Sequence, residues 1–333
     1  MTIRRIMPNT LCDSHGRYIT YLRLAVTDRC NLRCSYCTPK GCLTSKNELL
    51  DYDELLRVVR VFAGLGVGKI RLTGGEPFAR QGFVDFLAEI QSVPGIKEIG
   101  ITTNGTLCLK EIQRLKGSGV TGLNFSLDTL SPVRYQKITG ADLFHEAFAS
   151  IMEAVMQGFR VKVNVVVLDN DNCDELLHLA GLAENYPLEV RFIEPMHFNG
   201  SGEFTPPLWH AARLKAFFLE NLPGCVELLK KHDSTAQLFK VKNYLGAVGI
   251  IAGHSRSFCA SCNKVRLTPQ GMLKNCLYDN GVLDMKGLLR SGADDGEITA
   301  AIQNAVTAKS ADGSIAEKDR RDCLPRSMAT IGG

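Results

Sequence analysis

The sequence predicts an α/β fold built on a largely parallel sheet, and three observations carry that reading. A short apolar strand, a polar or Gly-rich loop and an amphipathic helix recur about six times in the first two thirds of the chain. Val, Ile and Leu dominate the strands, as expected where helices cover a parallel sheet. The chain has 333 residues, a length at which folding buries roughly 75% of the unfolded surface without disulfide staples.

Strands are expected at Tyr21–Thr27, Lys69–Thr73, Glu98–Thr102, Gly122–Leu127, Val161–Leu168 and Glu189–Ile193. Helical patterns lie between them near Tyr52–Leu65, Gly82–Ser92, Cys108–Gly117, Leu143–Gly158 and Cys173–Glu184. Asp51 and Asp142 stand where N-caps belong, and Gly66 and Gly158 where C-caps belong. Gly64, Gly66 and Gly68 end a helix rather than open one, so they read as a cap and turn, not as a nucleotide loop. Near Asn199–Pro207 the βα rhythm breaks. A helix near Leu208–Leu222 follows, and Thr268–Gly271 reads as a hairpin turn. A boundary near residue 225 divides the chain into 1–225 and 226–333. Both an open doubly wound sheet and a barrel-like sheet fit this pattern, and in both the ligand site lies at the C-terminal strand ends.

Composition narrows the class. Apolar residues are 45% and charged residues 22%, which is globular usage. A net charge of +4 excludes a heavily basic nucleic-acid coat and predicts no attraction to membranes. The longest stretch without Asp, Glu, Lys or Arg is Asn243–Ser255, short of the ~20 residues a membrane helix needs. The opening MTIRRIMPNT has no apolar signal core. A soluble, cytoplasmic protein is the expectation.

Six of the 12 cysteines fall in two groups, Cys30, Cys34, Cys37 and Cys259, Cys262, Cys276. The other six (Cys12, Cys42, Cys108, Cys173, Cys225, Cys323) are scattered and read as small buried hydrophobes. Three thiolates on one loop after the first strand suit three corners of an iron–sulfur cube and leave one iron open to a ligand. A structural zinc site wants four ligands, so a zinc knuckle is the competing reading of the first group and an incomplete zinc ribbon that of the second.

The segment LRLAVTDRCNLRCSYC, with RLTGGEP after the second strand, resembles the radical S-adenosylmethionine (SAM) superfamily. ITTNGT, NFSLDTL, VKVNVVVL, RFIEPM, FCASCNKVRLTPQGMLKNCL and the terminal IGG extend the likeness to the GTP 3′,8-cyclases of molybdenum-cofactor biosynthesis, the MoaA family. The resemblance implies an incomplete (βα)6 TIM-like barrel with a smaller C-terminal domain. It implies two [4Fe–4S] clusters, one on Cys30, Cys34 and Cys37 and one on Cys259, Cys262 and Cys276, with SAM on the first. Tyr36, Gly75, Ser126 and Met196 match SAM-contacting positions. Arg23, Arg71, Thr102, Lys162, Lys264, Val265 and Arg266 match GTP-contacting positions. Arg23, Lys264 and Arg266 carry the implied catalytic role. The implied reaction cleaves SAM reductively, abstracts hydrogen from C3′ of the ribose and closes a bond to C8, giving 3′,8-cyclo-7,8-dihydro-GTP. The implied partners are GTP, an unidentified electron donor, the next enzyme of the pathway (cyclic pyranopterin monophosphate synthase) and a second copy in a dimer, with no nucleic acid or membrane. Gly332 and Gly333 are expected to enter the active site.

Two residues depart from the family pattern: Lys264 stands where Arg is usual, and Thr38 where Met is common. Lys cannot make the bidentate fork of Arg. A radical SAM enzyme acting on a peptide or another nucleotide is the nearest alternative. A non-catalytic metal or electron-transfer module is the alternative of another class.

Overall fold

The computed structural model describes residues 10–37, 49–196, 206–230, 234–319 and 328–331. Thr38, Cys42, Cys323, Gly332 and Gly333 lie outside the described residues. Six strands, β1 (Tyr21–Ala25), β2 (Lys69–Thr73), β3 (Glu98–Thr103), β4 (Val120–Ser126), β5 (Arg160–Val166) and β6 (Glu189–Ile193), run parallel in sequence order. Between them lie α1 (Tyr52–Gly64), α2 (Phe83–Gln91), α3 (Ile112–Gly117), α4 (Pro132–Thr139), α5 (Phe144–Met156), α6 (Leu176–Ala180) and α7 (Leu182–Asn185). The expected βα series is therefore present, with strand boundaries within two residues of those read from the sequence.

The remaining elements are α8 (Ala211–Asn221), β7 (Val226–Glu227), β8 (Ala236–Lys240), β9 (Ala247–Ile251), β10 (Lys264–Leu267), β11 (Met272–Lys274), β12 (Leu283–Asp284), α9 (Met285–Arg290), α10 (Asp295–Thr307), α11 (Gly313–Lys318) and α12 (Met328–Ile331). They extend the same sheet at both edges. β9 pairs parallel with β6, and β10 pairs parallel with β1. The order is β12-β11-β10-β1-β2-β3-β4-β5-β6-β9-β8-β7. The chain after residue 225 thus shares its sheet with the chain before it. Residues 252–263 run from the C-terminal end of one edge of the parallel run to the N-terminal end of the other. Cys259 and Cys262 stand on this crossing segment, and Cys276 follows the expected hairpin of β10 and β11.

The layers follow from side-chain alternation along a strand. Leu22, Leu24, Ile70 and Leu72 share one fully buried cluster with Leu55, Val58 and Phe62 of α1. Ile298, Ile302 and Val306 of α10 join it. Asp51 caps α1 in a reciprocal capping box with Glu54, which together satisfies two orphan N–H groups. Gly66 follows that helix with φ 87° and Gly158 follows α5 with φ 78°, the left-handed geometry that glycine permits at a helix end.

Two local readings change. Asp142 does not cap α5; the cap position is Leu143, with no side-chain bond. Phe144, T-stacked on Tyr135 of α4 at 5.9 Å, sets where the helix begins, so packing overrides the capping signal. The helix expected at Cys173–Glu184 is a 3-10 turn followed by α6 and α7, broken at Gly181. Helix α4 itself was not expected. It starts with Pro132 behind the cap Ser131 and ends at Gly140 with φ 75°.

Gly75 shows how tightly the loops pack. A Cβ there would lie 2.3 Å from the Arg29 carbonyl oxygen, whereas a Cβ on Gly64 would meet nothing within 4 Å. Gly75→Ala is expected to lower stability by about 1–3 kcal/mol through overpacking. Gly64→Ala, in a helix, is expected to be neutral or to stabilise by up to about 1 kcal/mol. Denaturant melts of the two metal-free variants check the pair.

Candidate active site

The charged strand residues gather on the face that the helices do not cover. Arg23 of β1 lies directly opposite Arg71 of β2 and Arg266 of β10. In the same way Tyr21 lies between Lys69 and Lys264. Lys162 stands opposite Glu189, and Asn164 opposite Arg191. Inward pointing, expected for Arg23 and Lys162 because a two-sided parallel strand has nowhere else to put a charge, is what the register gives. Arg71 packs its guanidinium over Gly100 of β3, where a Cβ would come within 2.8 Å of it.

This interior is electropositive. Lys69 pairs with Glu98 at 2.8 Å, Arg191 with Glu189 at 2.5 Å, and Lys162 with Glu189 at 4.0 Å. Arg23, Arg71, Lys264 and Arg266 add four more cations to the same face. Burial, then Arg266 and Arg71, bring Arg23 down to about 9 despite an opposing pull from Tyr21. Burial, then Arg191, brings Lys162 down to about 8, against Glu189. Tyr21 hydroxyl accepts from Arg71 Nε at 2.6 Å. Burial would raise that phenol, but Arg71, Arg23 and Lys264 outweigh it and hold it at about 7. Lys69 and Lys264 ammonium groups lie 5.3 and 5.5 Å from the Tyr21 ring centre. Thr73 Oγ1, Thr102 Oγ1 and Asn164 Oδ1 are buried polar atoms with no hydrogen-bond partner among the described residues. Such orphans mark places where a ligand or water completes the site.

At the C-terminal strand ends, the first cysteine loop is held from several sides. Arg33 N–H donates to Thr139 O at 2.8 Å and Ser35 N–H to Ile138 O at 2.9 Å, so the loop leans on the end of α4. Tyr36 hydroxyl donates to Asp128 Oδ2 at 2.6 Å, and Val166 N–H donates to Asp128 Oδ1 at 2.8 Å. Asn104 bridges Cys30 Sγ at 3.6 Å and Asn31 Oδ1 at 3.0 Å. Its N–H donates to Glu76, which also accepts from Thr103 and Phe78. Burial pushes Glu76 up to about 7 against these three bonds, and Asp128 up to about 6 against those from Tyr36 and Val166. Burial and then Asp128 raise the Cys34 thiol.

The second group has opposite surroundings. Burial raises Cys262, but Lys309, Lys264 and Arg17 outweigh it and hold the thiol below its usual value. Arg17 donates to Cys259 O at 3.0 Å. Between the two groups lies α12: Met328 N–H donates to Cys37 O at 3.3 Å, and Ile331 packs in a cluster with Tyr278, Cys276 and Met196.

All six cysteines are free and partly exposed. Among the described residues no three His, Cys, Asp or Glu are arranged to hold a single metal ion. The donor chemistry of each group is three thiols on turns, with Cys30, Cys34 and Cys37 in electrostatic reach of one another. That set fits three corners of an iron–sulfur cube, whose ligands must first lose their protons.

Most residues singled out in the sequence converge on this interior and its rim, and two need comment. Val265 alternates with Lys264 and Arg266 and is fully buried in the helix-facing core opposite Leu22, so its side chain is a packing residue. Gly75 makes room for the Arg29 carbonyl of the cysteine loop rather than standing open. Sequence reasoning missed Arg191 and Tyr21, and placed Asp128 and Glu194 after their strands on the rim without giving them a role. Arg191 was readable by the same logic as Lys162, as a charge within a strand. Glu194 is fully buried and ties three segments together: it accepts from Ala211 N–H and from Ser255 N–H and hydroxyl. Only the fold brings those segments to it.

Residues 24–183 match the Radical SAM superfamily model, and residues 188–315 match Molybdenum Cofactor Synthesis C. The fold is shared with the crystal structure of Streptococcus suis SuiB, at TM-score 0.61 and 14% identity, over 85% of this chain and 68% of that one. A parallel α/β sheet with a three-cysteine loop after its first strand defines the radical SAM class. A Pelotomaculum thermopropionicum GTP 3′,8-cyclase is 39% identical over 331 residues, covering 96% of this chain and 99% of the relative. The Moorella thermoacetica GTP 3′,8-cyclase is 38% identical with the same coverage. Molybdenum cofactor biosynthesis protein 1 of Bos taurus is 40% identical over 308 residues, 90% of this chain and 48% of the relative. The chain therefore spans about half the length of such animal relatives and nearly all of the bacterial ones. It belongs to the GTP 3′,8-cyclase family.

The phenol of Tyr21 carries a pH signature. Its folded value, about 7, lies below the unfolded value of about 10. Above pH 7 the unfolded state therefore holds more protons, and stability rises with pH. The stability advantage of wild type over Tyr21→Phe is expected to grow from pH 7 toward pH 10 and to fade as pH falls through 7. Urea melts of the ligand-free proteins across that range check the sign.

Proposed function

We propose that this chain is a GTP 3′,8-cyclase that converts GTP and SAM to 3′,8-cyclo-7,8-dihydro-GTP using two [4Fe–4S] clusters. The observation that carries the reading is the row Arg266, Arg23, Arg71 across three neighbouring strands. Like charges directly opposite one another destabilise a sheet. With Arg71 buried and Arg23 and Arg266 half-buried, such a row suits a ligand with several negative charges, and a triphosphate supplies them through charge-assisted hydrogen bonds. Lys69, Lys162 and Arg191 lie on the same face, so the phosphate chain would run toward the N-terminal end of the strands. The guanosine would then lie on this same face, between the two cysteine groups.

A cluster on Cys30, Cys34 and Cys37 together with SAM would supply one-electron cleavage of SAM and hydrogen-atom abstraction from the ribose. The residues of the chain do the rest. Tyr36, held by Asp128, would line the adenine from the cysteine loop, with Ser126 and Met196 from strand ends. Thr102, with its unpaired hydroxyl, would orient the ribose. Arg23, Lys264 and Arg266 would face the reacting nucleoside; burial and then Arg23 and Arg266 lower the Lys264 ammonium, against Cys262 and Tyr21. Cys259, Cys262 and Cys276 would hold the second cluster beside the guanine. Residues 1–225 would handle SAM, and residues 226–333 would complete the substrate site. The entry of Gly332 and Gly333 into the active site, implied by the family resemblance, belongs to the same proposal. The product would pass to the next enzyme of molybdopterin synthesis, and the electron would come from an external low-potential donor. No helix of the described residues is long and apolar enough to cross a membrane. A cytoplasmic homodimer is part of the same proposal.

Anaerobic reconstitution with iron and sulfide, then dithionite and SAM, tests the reading. 5′-Deoxyadenosine formed only with GTP, together with an isomer of GTP, is the expected result. SAM cleavage without GTP would point to another substrate, and a peptide modified in its place would move the chain to the peptide-acting alternative. Arg71→Met and Lys162→Met are each expected to weaken GTP binding at least tenfold, about 1.4 kcal/mol. Guanosine binding should be unchanged in both, and calorimetry on the reconstituted protein separates the two ligands.

A further inference from the structure

A buried ammonium lies behind the second cysteine group. Lys309 is 3% exposed. Its Nζ donates to Lys264 O at 3.1 Å and to Asn275 O. Those carbonyls stand two residues after Cys262 and one residue before Cys276. Lys309 thus bridges the two segments that the β10–β11 hairpin separates. The adjoining backbone is gripped as well, since Arg17 joins Cys259 O to Ala311 O and Ser310 O.

A second buried lysine, Lys274 of β11, provides the contrast. Lys274 has the carboxylate of Asp279 at 3.7 Å. Lys309 has no ion pair among the described residues; its hydrogen bonds there go to main-chain carbonyls alone. A buried charge left without a counter-charge is costly, so the site favours an anion in front of it. A cluster bound by three thiolates is such an anion, and one added electron makes it more negative. The first cysteine group has acidic neighbours instead, Asp128 beside Cys34 and Glu76 beside Cys30.

We infer that Lys309 is the positioning and charge-compensating residue of the second cluster. Its ammonium pins the Cys262 and Cys276 segments together and makes that cluster easier to reduce than the first. The step is one electron from the reductant into the cluster, with no bond or proton changing place. The inference rests on the reading of Cys259, Cys262 and Cys276 as cluster ligands.

The test uses the full chain with Cys30, Cys34 and Cys37 changed to Ser, so that one cluster is observed. It is reconstituted and titrated with dithionite under electron paramagnetic resonance. Lys309→Gln is expected to lower the reduced-to-oxidised ratio about tenfold at a given potential, a shift of about 59 mV for one electron. Lys309→Arg is expected to restore the parent value. An unchanged titration in a Lys309→Gln protein that holds its iron overturns the inference. If Lys309→Gln takes up no iron, iron recovered in Lys309→Arg supports the clamp, and iron still missing overturns it. A parent that binds no cluster before any change at Lys309 overturns the two-cluster reading itself, and this inference with it.

Discussion

Alternation along parallel strands is the constraint on which the rest of this structure depends. A strand covered by helices on one face has only one other face, and in this chain that face collects Arg23, Lys69, Arg71, Lys162, Arg191, Lys264 and Arg266. The helices do not cover it, and its cations outnumber the carboxylates of Glu98 and Glu189 that pair with Lys69, Lys162 and Arg191. The outer face does the folding, through an apolar cluster that runs from Leu22 and Phe62 to Val306. The inner face is left for a ligand. The same sheet therefore separates stability from function by the direction of a Cα–Cβ bond.

The two cysteine groups illustrate a second division. The first sits on a loop fixed by neighbours from four strand ends and α4, with buried acids around it. The second sits where the sheet does not close on itself, on a segment that crosses from β9 to β10, and is gripped from behind by cations. Near a low-dielectric interior such charges act strongly on whatever anion the thiols hold. Helix α12 touches both groups, through Cys37 on one side and the Tyr278 cluster on the other.

Much of this was legible in the residues. Strand positions, the cap at Asp51, the turn at Gly271, both cysteine groups and the inward charges on β1 and β5 followed from periodicity and spacing. Misreadings arose where local signals compete with packing. Asp142 looks like a cap, but Phe144 anchors the helix one residue later. Val265 keeps its place between Lys264 and Arg266, and its parity turns the side chain alone to the core. Helix α4 has a weak apolar pattern and is held by Tyr135, Ile138 and its contact with the cysteine loop.

What the sequence by itself determined is the class of chemistry: thiols spaced for a cluster, strands that each carry a charge, and glycines where loops must approach closely. These are local properties, set by residue type and by the period of a strand or helix. What only the tertiary structure decided is which of those groups meet. The joining of β10 to β1, which brings Arg266 beside Arg23, links residues more than two hundred positions apart. So does the contact of Arg17 with Cys259. Such pairings leave no trace in spacing, because a sheet edge can accept any strand of suitable pattern and only the packing of the whole selects one.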